Sequence, residues 1–200
     1  MILFGASLAL LAGSALLSLF LASSPRALRV NAVAGAGAAA LCGFVPAFQV
    51  LFGGEPFGVS IPWHVPYASL SLRLDAVSAF FLLPVLGLPA LAALYGTGYL
   101  SPSGGAKRLH VHWMFYQLLT LSMALVLCAR NAVLFLVAWE AMTLTSYFLV
   151  TFDDHEEEGR RAGWIYLVAA HFGTAFLMIL FLGLGANAGS FEFEAWRKAS

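Results

Sequence analysis

Six long apolar runs limit what this chain can become: residues 2–22, 30–52, 75–100, 112–128, 133–151 and 164–184. A helix needs about 20 apolar residues to cross the hydrocarbon core of a bilayer. Only helices and closed barrels can satisfy their backbone polar groups there. The runs therefore predict an all-α integral membrane protein with six transmembrane helices. Composition agrees, at 61% hydrophobic and 10% charged, where a soluble domain carries about 25% charged residues. Ten Lys and Arg balance ten Asp and Glu, for zero net charge, which argues against a nucleic-acid partner. Cys42 and Cys128 fall in apolar runs without CxxC spacing and are expected to pack as small residues. No haem, flavin, iron–sulfur or nucleotide motif is present, so neither a cofactor nor a metal site is expected.

Along the chain, the first run could pass for a secretory leader, but no Lys or Arg precedes Arg26 and a leader needs a basic n-region. A retained first helix is expected, then a short basic loop at 24–29. Gly35 and Gly37 in the second run permit close helix–helix approach, and Gln49 near its end is expected at the interface. Residues 53–74 are different. Gly53-Gly54-Glu55-Pro56 is turn chemistry, and Ser69-Leu70-Ser71-Leu72-Arg73-Leu74 alternates at period two as a half-buried strand does. A small extramembrane hairpin between helices 2 and 3 is expected, with Trp63 and Tyr67 in the aromatic belt. His64, lone and exposed, is expected to have no special role.

Asp75 suits a helix start, and Pro84 and Pro89 predict a kink or break in the third span. Residues 101–109 read as a loop. His110 and His112, two apart, do not share a helix face, so no metal pair is expected. Gln117 lies inside the fourth span. Arg130-Asn131 is so short a link that spans four and five must form an antiparallel hairpin. Residues 152–161 read as a charged, solvated loop, and FEFEAW near the end as a short interfacial turn or helix start.

Six of the ten basic residues (Arg26, Arg29, Lys107, Arg108, Arg160 and Arg161) fall at one end of the alternating spans. Arg73, Arg130, Arg197 and Lys198 fall at the other. The bias predicts the first end to be cytoplasmic, with the N-terminus and the hairpin outside.

One run stands apart. VLFLVAWEAMTLTSYFLVT carries Glu140 at its middle, alone among the ten carboxylates in lying deep in an apolar stretch. An acid at a helix centre costs about 2.5–3.5 kcal/mol on insertion scales. Such a residue points to a proton-handling site facing a bundle interior or a water-filled cavity; its alternative is a structural carboxylate that fixes helix packing. Thr143 and Tyr147, at i+3 and i+7, would supply hydroxyl partners. His171 lies near the middle of the sixth span, with Trp164, Leu167, Thr174 and Met178 on its face, and histidine changes charge near neutral pH. A proton relay and a backbone-bonded packing histidine both remain open for it.

The piece LFLVAWEAMTLTSYFLVTF resembles the fifth-helix motif of the antiporter-like proton-pumping subunits of respiratory complex I, Mrp-type cation/proton antiporters and membrane-bound hydrogenases. LRLDAVSAFF and ALYGTGYL resemble that family's strand-to-helix region, and RRAGWIYLVAAHFGTAFLMILFLGLGANAGSFEFEAW its sixth helix and exit. The likeness covers roughly residues 70–196, with Trp139-Glu140 its most specific pair. YLVAAHFGTAF is most similar to the large membrane subunit of hydrogenase-4 and formate hydrogenlyase. The resemblance implies a longer bundle of about fourteen or more spans with two inverted five-helix repeats, of which this chain is the N-terminal part. Residues 1–74 would hold helices 1–2 and the hairpin, and 75–200 the start of the antiporter-like domain. In the family the fifth-helix glutamate, matched here by Glu140, sits beside a lysine on a broken seventh helix. Lys107 and Lys198 lie outside the spans here, so that partner is expected beyond Ser200.

The resemblance further implies a proton relay through Glu140 and His171, supported by Thr143, Tyr147 and Thr174. Partners would be other membrane subunits, a peripheral redox arm, the lipid bilayer and protons, in a bacterial or archaeal inner membrane. The chain has no redox centre, so its place would be that of a non-redox subunit of an oxidoreductase complex. An Mrp-type cation/proton antiporter subunit and a non-transporting scaffold are the alternatives.

Overall fold

The computed structural model describes residues 1–63, 68–99, 109–152 and 157–199. Among the described residues, six helices are long and apolar enough to span a membrane. They are α1 (Ile2–Phe20), α2 (Pro25–Leu51), α3 (Ala76–Tyr99), α4 (Leu109–Cys128), α5 (Ala132–Val150) and α6 (Glu157–Ala188). A short α7 (Phe193–Ala199) follows, and an antiparallel hairpin of β1 (Phe57–Pro62) and β2 (Ser69–Leu74) stands between α2 and α3. The six-helix bundle and the hairpin thus stand as expected. His64, Tyr67, Lys107 and Arg108 lie outside the described residues; Trp63 is exposed.

Three helices begin earlier than hydropathy indicates, α4 at Leu109 rather than His112 among them. α2 starts at Pro25 rather than near Val30, because proline in the first turn has its φ already set for a helix and lacks only an N–H that would be unpaired anyway. α6 starts at Glu157 rather than Trp164: Glu157 and Glu158 occupy its first turn, where negative charge complements the helix dipole. Its 32 residues would span about 48 Å at 1.5 Å per residue, so its charged first turns reach past the hydrocarbon. Helix α3 runs through both Pro84 and Pro89 without a break. Beside the second of these, Tyr116 from α4 donates its hydroxyl to the Pro89 carbonyl at 2.5 Å.

Close packing of α1 on α2 depends on small residues and hydroxyls. A Cβ at Gly35 would lie 2.2 Å from Ser14 Oγ, so only glycine allows this approach. Gly37, in contrast, has open space around it. Ser7 Oγ donates to Ala39 O at 2.7 Å, and Asn31 Nδ2 donates to Ser14 O at 2.9 Å and Ser18 Oγ at 3.1 Å. Such bonds hold helices together where lipid supplies no hydrophobic drive. Leu11, Ala39, Ala47, Leu74, Leu82, Leu86 and Cys128 form the centre of the core. Both thiols are free, with Cys128 fully buried.

At the hairpin end the chain knits itself into a plate. Residues 129–131, between α4 and α5, bridge to β2 through Leu72 and Ala129, and to the exit of α6 through Asn131 and Glu192. Arg130 N donates to Ser71 O, Phe193 N to Arg130 O and Ala132 N to Phe191 O, each at 2.9 Å. Side chains repeat the pattern: Ser69 and Asn131 both donate to Glu192, and Arg73 pairs with Glu194. Asn131 also caps α5, accepting from Val133 N at 2.9 Å. Asp75 caps α3 in the same way, accepting from Ser78 N at 2.9 Å, as its place in the sequence led one to expect.

Candidate functional site: an acid–histidine pair between α5 and α6

Glu140 stands at the centre of α5 and His171 at the centre of α6, and the two meet. His171 Nε2 lies 3.5 Å from Glu140 Oε2, with the side chains half-exposed and about one-third exposed on the protein surface. Their approach follows from local sequence. Gly163 lets α6 come down on α5: a Cβ there would lie 2.3 Å from Thr151 Cγ2 and 3.3 Å from Tyr147 Cε2. Two turns further along α6, His171 reaches the level of Glu140.

The histidine's other nitrogen decides what the pair can do. Nδ1 lies 2.8 Å from the Leu167 carbonyl. A carbonyl only accepts, so Nδ1 carries the proton. Neutral His171 then presents the lone pair of Nε2 to a carboxyl oxygen, and two bare acceptors would repel. One proton placed between them removes the conflict, giving either imidazole with carboxylic acid or imidazolium with carboxylate. At 3.5 Å the contact is longer than a good hydrogen bond, so a modest side-chain rotation makes or breaks it. The backbone-bonded and relay roles considered for His171 are therefore compatible: one nitrogen holds the ring and the other faces the acid.

Glu140 Oε1 is buried and makes no hydrogen bond, and so is Trp139 Nε1 beside it in sequence. The hydroxyls expected to serve the carboxylate do not reach it. Thr143 is turned about 60° from Glu140 on a helix of 3.6 residues per turn and is 2% exposed. Tyr147 is about 10 Å along the axis, with its ring against Gly163 and Phe148. Thr174 does line the site, although its Oγ1 donates to Ala170 O of its own helix at 3.2 Å.

The pair opens on a groove of about 660 Å³ lined by Val137, Glu140, Leu144, His171, Thr174 and Met178. A second groove, of about 390 Å³, lies on the other side of His171 against Trp164 and Phe172. Of the six long helices, α6 is the least covered, with 11% of its most apolar window buried against 44% for α2. At the basic end, Tyr147, Thr151 and Arg160 line a further hollow of about 340 Å³ between α4, α5 and α6. Among the described residues no group of three His, Cys, Asp or Glu is placed to hold a metal.

Outside the spans, Asp75 anchors the plate. Burial pushes its pKa up, but the hydrogen bond from the Ser78 amide and the charges of Arg130 and Arg73 outweigh it, and the net shift is down. Arg130 Nη2 lies 2.6 Å from Asp75 Oδ2 and 3.1 Å from Ser78 Oγ. Ser78 Oγ in turn donates to Leu127 O at 2.8 Å, joining α3 to α4.

Six spanning helices, an interlocked extramembrane hairpin and a mid-span acid facing a histidine make this an integral membrane helical bundle with a titratable pair at mid-depth. Comparisons with known proteins agree. Residues 129–200 match the family described as NADH:quinone oxidoreductase/Mrp antiporter, TM. Hydrogenase-4 component B of Escherichia coli is 34% identical over 134 residues, which is 67% of this chain and 20% of that protein. NADH-quinone oxidoreductase subunit L of Mycobacterium tuberculosis is 31% identical over 108 residues, 54% of this chain and 17% of its own length. Among solved structures, one chain of the Mrp complex from Dietzia superposes with a TM-score of 0.78 at 24% identity, covering 94% of this chain and 20% of that one. One chain of respiratory complex I from Thermus thermophilus does so at 0.67 and 25% identity, covering 93% and 38%. This chain is therefore similar to membrane subunits of hydrogenase-4, NADH-quinone oxidoreductase and Mrp complexes, with the family match confined to residues 129–200, and it spans about a fifth of the length of the first relatives it matches.

Proposed function

We propose that the chain is a proton-translocating subunit of a redox complex of the hydrogenase-4, formate hydrogenlyase or complex I type, in which Glu140 and His171 pass a proton between them. The observation that carries this is the pairing itself. A tautomer held by Leu167 O points Nε2 at a carboxylate whose second oxygen is buried without a partner. An intramembrane acid that faces another titratable group is a functional-site hypothesis by default. The likeness to hydrogenase-4 component B favours the hydrogenase branch over the Mrp-type antiporter. Electrons would be handled by a peripheral arm and by other membrane subunits. The basic ends at Arg26 and Arg160 would face the cytoplasm of a bacterial or archaeal cell, with the N-terminus outside.

Glu140→Gln in the intact complex tests this. Glutamine keeps the volume and most hydrogen-bonding capacity but cannot titrate. Redox-driven proton uptake into vesicles should be abolished or greatly reduced, with subunit incorporation nearly unchanged. Full proton uptake at normal electron flux would leave Glu140 a packing role only. Uptake that required sodium would move the chain to the antiporter branch.

A further inference from the structure

A second polar site lies away from the acid–histidine pair, on the side of α4 that faces α2. Gln117 and Trp113 sit one helical turn apart there, 0% and 1% exposed. Gln117 Nε2 donates to Ala32 O at 2.9 Å. That bond fixes the amide's orientation, since the reverse would set oxygen against oxygen. Gln117 Oε1 is left as a buried acceptor with no partner, and Trp113 Nε1 as a buried donor with none. Two unmet atoms of opposite sense on one face are what a bridging water satisfies. A water also needs polar partners to stay in an apolar interior.

Nearby groups cannot take its place. Ser14 Oγ, which lies against Gly35 beside Gln117, donates to Asn31 O at 3.2 Å, and Thr120 Oγ1 donates to Tyr116 O at 3.1 Å. Leu28, Ala32, Ala36, Ala93 and Leu109 surround Trp113 with carbon. Further toward the basic end, Arg29 Nε and His110 Nδ1 are also buried without partners, at the starts of the two helices that flank the site. We infer that α2 and α4 hold an internal water between Trp113 Nε1 and Gln117 Oε1, reached from the basic end.

Infrared difference spectra of the full protein in lipid nanodiscs, taken in ordinary and ¹⁸O water, test this together with the indole N–H Raman band. A buried O–H stretch that shifts with ¹⁸O should be present, and it should be lost in Trp113→Phe, which keeps an aromatic ring and removes the donor. In Gln117→Met the indole band should move toward the unbonded position. An indole that is hydrogen-bonded without any ¹⁸O-sensitive band would mean that Trp113 donates directly to Gln117, and would overturn the water. So would an ¹⁸O-sensitive band that survives both substitutions.

Discussion

At the residue scale, the proposed relay requires each member of the pair to keep the atom that faces the other. His171→Ala removes Nε2 from a half-exposed position, so the cost in packing is small. Proton translocation per electron is expected to fall several-fold while the complex still assembles. Unchanged translocation would leave His171 with its bond to Leu167 O and nothing more. Glu140→Asp keeps the charge but withdraws it by one methylene, about 1.5 Å, from a contact already at 3.5 Å. Partial activity is expected, between that of the native protein and that of Glu140→Gln, measured as proton uptake against electron flux in one preparation.

At the scale of elements, small residues decide how closely helices pack. Gly35→Ala drives a methyl group into Ser14 Oγ; overpacking of this kind costs about 1–3 kcal/mol. Gly37→Ala, with nothing within 4 Å of its Cβ position, is the control and should be neutral or slightly stabilising, as alanine is the better helix former. Unfolding in detergent micelles should separate the two, and equal effects would mean that α1 and α2 are not packed through Gly35. The anchor of the plate has a pH signature. The pKa of Asp75 is lowered from 3.8, so its stabilising contribution is in full force above that value and is lost as pH falls through the lower, folded-state value. Stability should therefore be insensitive to this pair from neutral pH down to about 5. Asp75→Asn, measured by thermal unfolding, should be less stable across that whole range.

At the scale of the whole molecule, alternation of six spans sets Arg26 and Arg160 at one end and Glu55 at the other. In a background free of Cys42 and Cys128, Arg26→Cys and Arg160→Cys should be labelled from the same side of intact vesicles and Glu55→Cys from the opposite side. Labelling of Arg26→Cys and Arg160→Cys from opposite sides would break the six-helix topology. Cytoplasmic labelling of Glu55→Cys alone would invert the orientation and leave the topology standing.

Much of this protein was legible in the chain itself. Bilayer thickness imposes a length on apolar runs, and so the six helices, the hairpin and the isolated position of Glu140 could be read directly. The first turns of α2 and α6 were missed because hydropathy sees hydrocarbon, whereas a helix continues through charged residues once Pro25 or Glu157 has started it. Contacts across the bundle depended on the rotation and depth of one helix against another, which no periodicity within one helix contains. Thr143 and Tyr147 share a stripe with Glu140 in sequence, but one is turned into the core and the other lies too far along the axis. The Arg130-Asn131 segment read only as a short link between spans four and five, yet folding made it the middle of a plate joining β2 to the exit of α6. Sequence marked Glu140 and His171 as separate candidates; only the tertiary structure, through the approach of α6 to α5 at Gly163, brought a nitrogen of one to face an oxygen of the other.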